Sequence, residues 1–187
     1  MPSLILICGP SATGKTTLAR RLAADLSLPL FFKDSIKEIL FETLPPQETD
    51  WSSLLSQASI RVLCYLLESM MAGGSSCIGE ANFNTAAVRP MFKAMQERYA
   101  FSCVEIMCDA DAQVRLQRLR LRNSTGQRHA AHGNSDADIT REWQDTQTRL
   151  TPIGLNGPCI ELDTTNFSEV AYQQLLAEIC TTLKRES

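Results

Sequence analysis

The residues with the clearest chemistry lie near the amino terminus. Gly9-Pro10-Ser11-Ala12-Thr13-Gly14-Lys15-Thr16 matches G-x-x-x-x-G-K-[ST], and each fixed position has a reason. The glycines let the backbone wrap closely, so that successive N–H groups converge on a phosphate. Lys15 offers a point charge for the outer phosphate oxygens, the Thr16 hydroxyl suits a Mg²⁺ ion, and Thr17 follows in the same turn. A helix opening beside Gly14 would add its positive dipole end. These residues predict a nucleoside-triphosphate site.

The context supports the motif. Leu4 to Cys8 is an uninterrupted apolar run, suited to a central parallel strand covered on both faces. Leu18, Leu22 and Leu26 then recur every four residues, the stripe of an amphipathic helix. Leu30 to Phe32 reads as a second strand. Helices are expected from about Ser35 to Thr43, stopped by Pro45-Pro46, and from about Trp51 to Met71. Strands over Ser76–Gly79, Phe101–Cys108 and Pro158–Leu162 alternate with helices over Thr85–Tyr99, Asp111–Arg122, Asp136–Leu150 and Phe167–Leu183. Five strands alternating with helices predict a parallel α/β sheet. With the phosphate loop, they predict the three-layer P-loop NTPase fold.

Four carboxylates fall at the carboxyl ends of successive strands: Asp34, Glu80, Asp109 and Asp163. Ligands of open α/β sheets bind along that edge. Ser35-Ile36-Lys37-Glu38 forms a capping box, so Ser35 is expected to cap its helix and leave Asp34 free as a general base. Asp109 reads as structural, because Asp111 also offers capping. Glu80 could serve substrate hydroxyls or a Mg²⁺-bound water. Arg115, Arg118 and Arg122 share a helix, and Arg128 lies in the polar stretch that follows. Phosphoryl transfer draws on cationic stabilisation, so the stretch from Asn123 to Ser135 is expected to be a mobile lid. His129 and His132, with no third ligand nearby, point only weakly to a metal.

Four segments together resemble the AAA-domain P-loop kinases, a group related to polynucleotide 5′-hydroxyl kinases, zeta toxins and chloramphenicol phosphotransferase. They are Gly9–Thr16, Lys33-Asp34-Ser35-Ile36-Lys37, Ile78-Gly79-Glu80-Ala81-Asn82-Phe83, and Arg118–His132. The resemblance implies that Asp34 and Lys37 match the family's D-x-x-R/K, whose Asp deprotonates the acceptor hydroxyl. It implies that Arg118 and Arg122 cover the adenine and bind phosphate, and that Arg128-His129 with His132 forms the lid's R-H-x-x-H. Lys37 departs from the commoner Arg, and Ala130-Ala131 from the frequent Pro-Gly.

The expected function is transfer of the γ-phosphoryl of ATP, with Mg²⁺, to a hydroxyl of a small molecule. Lys15, Asp34, Arg122 and Arg128 are the expected catalytic residues, and Gly9 to Thr17 with Arg118 the nucleotide contacts. Lys37, Glu80 and Asn82 would bind the acceptor, with Phe83 and Arg89 beside them. The alternatives are a polynucleotide 5′-hydroxyl kinase and an ATP-hydrolysing switch without an acceptor. Guanine-reading Asn-Lys-x-Asp is absent, as is an apolar run ending in Asp-Glu.

Composition agrees with one ordinary globular domain over residues 1–187: 44% hydrophobic, 21% charged, with 18 Lys plus Arg against 21 Asp plus Glu, net −3. That balance gives nucleic acid no electrostatic support. No apolar run reaches bilayer-spanning length, and Met1 to Cys8 lacks the basic start of a secretion signal. Seven cysteines without C-x-x-C spacing read as reduced core thiols, five of them (Cys8, Cys77, Cys103, Cys108 and Cys159) in strands. A cytoplasmic protein is expected.

Overall fold

The computed structural model describes residues 1–46, 50–83, 85–126, 128–133, 140, 143 and 150–185. Five strands form one all-parallel sheet in the order β2-β3-β1-β4-β5. They are β1 (Ser3–Cys8), β2 (Leu30–Phe32), β3 (Cys77–Ala81), β4 (Ser102–Asp109) and β5 (Cys159–Asp163). The helices are α1 (Lys15–Leu26), α2 (Lys33–Thr43), α3 (Trp51–Ala72), α4 (Thr85–Arg98), α5 (Ala112–Ser124) and α6 (Glu169–Arg185). A short 3₁₀ turn spans Ala130–His132. Apart from Thr140, Trp143 and Leu150, the helix expected over Asp136–Leu150 lies outside the described residues.

Two apolar clusters cover the two sheet faces and make three layers. Leu4 and Leu6 of β1 pack with Leu63 and Leu67 of α3 and Phe92 of α4. Ile5 and Ile7 of the same strand pack with Leu18 and Leu22 of α1 and Tyr172 and Leu175 of α6. All six residues of β1 are buried, which is why that strand reads as a continuous apolar run rather than an alternating one. At the sheet edge, β5 alternates exposed and half-buried positions. Cys159 is therefore exposed, which corrects its expected place in the core, whereas Cys8, Cys77, Cys103 and Cys108 are buried. Among the described residues, no helix is long and apolar enough to cross a membrane.

The start of α2 corrects the sequence reading. The helix begins at Lys33, directly after β2, with Phe32 as its N-cap and no side-chain cap bond. Ser35 is thus already in the first turn and caps nothing. The strand feeds the helix with no intervening loop, so the extended backbone of Phe32 (φ −109°, ψ 132°) makes the turn that a capping serine was expected to make. Asp34 is free of capping, but for this different reason.

Candidate active site

The carboxyl end of β1 runs straight into the phosphate loop, and packing fixes its path. A Cβ placed on Gly9 would stand 2.3 Å from the Cys108 carbonyl oxygen, so only glycine lets the loop start this close to β4. Ala12 has φ +63°, and Gly14, the N-cap of α1, has φ +79°. Several loop carbonyls are engaged. Pro10 O accepts from Thr13 Oγ1 at 2.9 Å and from Lys15 Nζ at 3.3 Å. Ala12 O accepts from Arg118 Nη1 at 3.3 Å, and Thr13 O from Thr164 Oγ1 at 2.5 Å. The first N–H groups of α1 have no acceptor within their helix, and they are the donors this loop can offer an anion.

Lys15, Thr16 and Glu80 meet at the floor of the cleft. Thr16 Oγ1 donates to Glu80 Oε2 at 2.9 Å, and Lys15 Nζ stands 3.8 Å from Glu80 Oε1. Glu80 lies inside β3, level with Ile7 of β1 and Phe32 of β2, one residue beyond the strand end expected from sequence. It is almost wholly buried. Burial pushes its carboxyl above the usual range, against the pull of Lys15 and the Thr16 hydrogen bond.

Asp34 lines the same cleft, whose volume is about 920 Å³. Burial alone would raise its carboxyl, but His132, Lys15, Lys33 and Lys37 together hold it below the usual range. Its place in the first turn of α2 also favours a negative charge.

The remaining expected residues divide. Ser11, Thr17, Arg118, Arg122 and Arg128 line the cleft with Lys15 and Asp34. Arg118 also spans two walls, donating to Thr164 O at 2.9 Å as well as to Ala12 O. Arg122 is exposed in the last turn of α5. The Arg128 guanidinium folds onto its own turn, donating to Gly133 O and His132 O at 2.5 and 2.6 Å. Lys37 and Asn82 are not among the lining residues. Buried Lys37 donates to Ser52 of α3 at 2.9 Å, and exposed Asn82 accepts from Lys33 at 3.2 Å. Phe83 is fully buried against Phe92, and Arg89 donates to the Pro152 and Ile153 carbonyls. Neither fits the acceptor side expected for it.

Asp109 and Asp163 stay out of the cleft. Asp109 accepts from the Ala110 amide and from Arg115, and Asp163 from the Thr165 amide. The structural reading of Asp109 holds, with Asp111 capping α5. Sequence reasoning missed Thr164, whose hydroxyl ties the loop after β5 to the phosphate loop, because a lone Thr after a strand carries no signal. It also missed the histidines' partners. His129 Nε2 lies 3.1 Å from Glu42 Oε1 and His132 Nε2 lies 3.0 Å from Glu38 Oε1, so both meet carboxylates of α2 while lining the cleft.

These residues fit a magnesium-bound nucleotide. A Cβ on Gly14 would meet nothing within 4 Å, so the cradle is open where an anion would sit. Mg²⁺ is usually held by one or two protein oxygens with phosphates and water. The Thr16 hydroxyl and Glu80 carboxylate supply that set, and no cluster of three metal-ligating side chains is present among the described residues.

The sheet order, phosphate loop and flanking helices define a P-loop kinase fold. The AAA domain family profile matches residues 4–153, and the chain belongs to this family. A protein from Chloroflexus aurantiacus J-10-fl, assigned as a kinase with no substrate named, is 30% identical. The alignment covers 97% of this chain and 98% of that one, with a TM-score of 0.86. Kti12 from Chaetomium thermophilum, solved with ADP-AlF3, shares the fold at 14% identity and TM-score 0.68, over 96% of this chain and 98% of that one. A gluconokinase from Sinorhizobium meliloti 1021 shares it at 14% identity and TM-score 0.59, over 98% and 95%. No curated protein sequence matches the chain significantly.

Proposed function

We propose that this protein is an ATP-dependent kinase that transfers the γ-phosphoryl group to a hydroxyl of a small molecule. The observation that carries the reading is the convergence of an ionised, uncapped Asp34 with Lys15, Thr16 and Glu80 in one cleft. A slow nucleotide switch needs no carboxylate beside the phosphates to take a proton from an alcohol. Lys15 and the loop amides hold the nucleotide and meet the charge that develops on the transferring oxygens. Thr16 and Glu80 would hold Mg²⁺, whose charge would offset that of the phosphates. Asp34 orients the acceptor hydroxyl and accepts its proton. Arg118 holds the nucleotide end of the cleft, and Arg122 and Arg128 supply further positive charge on its rim. Lys37 fixes α2 to α3, so its bearing on the acceptor runs through α2.

The gluconokinase likeness supports a small-molecule acceptor, and the net charge of −3 gives a polynucleotide acceptor no help. The test is a screen of hydroxyl-bearing metabolites and 5′-hydroxyl oligonucleotides for ATP-dependent phosphorylation, with Lys15→Ala as control. A small molecule should be phosphorylated, and the variant should transfer about 10²–10³-fold more slowly. Phosphorylation of oligonucleotides alone, or slow hydrolysis indifferent to every acceptor, would replace the proposal with one of its rivals.

A further inference from the structure

Asp34, Glu38 and Glu42 recur every fourth residue on α2, so they line one helix face. Asp34 opens on the cleft. Glu38 lines the same cleft, and Glu38 and Glu42 are engaged by the turn 128–133, at His132–Glu38 and His129–Glu42. A carboxylate only accepts, so both Nε2 atoms carry the hydrogen. For His129 the other ring nitrogen agrees, because Nδ1 accepts from the Ala131 amide at 3.1 Å. The Phe41 ring of α2 meets His129 edge-on, with centroids 5.8 Å apart.

The turn itself is braced. Arg128 ties its two ends together through the carbonyls of His132 and Gly133. Ala131 is buried, 3% exposed. A braced turn thus touches one helix face at two points a helical turn apart, continuous with the position of Asp34.

We propose that Glu38 and Glu42 are the docking site for the turn 128–133, and that seating this turn on α2 holds Asp34 in register with the phosphate loop. They are positioning residues, and the inference rests on the reading of Asp34 as the acceptor's base. Two contacts resist rotation of α2 about its axis, which one contact would allow. Positioning matters because a misplacement of 1 Å can cost about 10²-fold in rate. The docking contacts are made on α2, and Glu38, His129 and His132 border the same cleft as the phosphate loop.

The experiment compares Glu38→Ala/Glu42→Ala with Glu38→Gln/Glu42→Gln, since Gln keeps an oxygen that accepts from each imidazole. Hydrogen exchange is followed in nucleotide-free protein over 128–133 and over α2, and binding of a non-hydrolysable ATP analogue is measured beside kcat. In the Ala pair, protection should fall in both segments together. Its kcat should drop by about tenfold or more while the analogue's Kd moves less than about threefold. The Gln pair should recover most of both losses. Unchanged exchange in the Ala pair, or loss in the turn with α2 unaffected, overturns the docking. Lost protection with normal kcat overturns the positioning role. If the kinase reading itself fails, wild type shows no transfer while the exchange result still decides the docking.

Discussion

The hydroxyl of Thr16 donates a 2.9 Å hydrogen bond to Oε2 of Glu80, 64 residues away in sequence. The contact joins the first turn of α1 to the carboxyl end of β3, and Lys15 reaches the other oxygen of the same carboxylate. A buried carboxylate beside a hydroxyl is an oxygen set that would suit a hard cation, directly or through its water.

Glu80→Gln keeps an oxygen for the Thr16 hydroxyl but removes the charge. The Mg²⁺ concentration for half-maximal transfer should rise, with activity or metal affinity lower by about 10–100-fold. Stability carries a second signature. A carboxyl raised by burial holds its proton more tightly folded than unfolded. Its contribution to stability is therefore full below its usual value of 4.5 and is lost as pH rises through the raised value. Melting curves from acid to neutral pH should show this slope in wild type and lose it in the variant; equal slopes would remove Glu80 as its source.

Asp34 behaves in the opposite sense. Its carboxyl lies below its usual value of 3.8, where His132, Lys15, Lys33 and Lys37 overcome burial. The stability it adds is present above that usual value and is lost as pH falls through the lowered one. As a base it stays ionised through the neutral range, so any acid limb of kcat/KM centred above its usual value of 3.8 must come from another group. Asp34→Asn should slow transfer by about 10²–10⁴-fold with little change in ATP affinity. An acid limb near neutrality that disappears in the variant would contradict the assignment, as would lost affinity with intact turnover.

Much of this architecture is legible in the sequence because it is local. The loop spacing Gly9 to Thr16, the apolar run of β1 and the leucine stripe of α1 each lie in one short window. β2 appears where expected, at Leu30–Phe32. The start of α2 is not legible: Phe32 has no capping group, while Ser35 with Glu38 imitates a cap. Nor are the partners of His129 and His132, which lie 87 and 94 residues away, since sequence spacing predicts contacts only within an element. Arg89 and Phe83 mislead for a related reason. Their nearness to Asn82 in sequence suggests the acceptor side, but Phe83, between β3 and α4, packs into the core, and α4 turns Arg89 toward the carbonyls of residues 152–153.

Gly14 isolates conformational strain, whereas Gly9, with φ +157°, adds a collision to it. Gly14 has φ +79° and open space around its missing Cβ. Gly14→Ala should cost the left-handed penalty alone, about 1–2 kcal/mol. Its methyl would stand where the cradle is open, so nucleotide affinity should fall more than thermal stability. Gly9 differs, because a Cβ there would be 2.3 Å from the Cys108 carbonyl oxygen, and neither backbone can yield without moving β1 from β4. Gly9→Ala should therefore lose more stability than Gly14→Ala, and it should displace the whole loop. Chemical denaturation and analogue binding on both variants check the ordering. A Gly9→Ala protein as stable as Gly14→Ala would show that the β1–β4 contact yields, and that the loop's path is set by its dihedral angles instead of by Cys108.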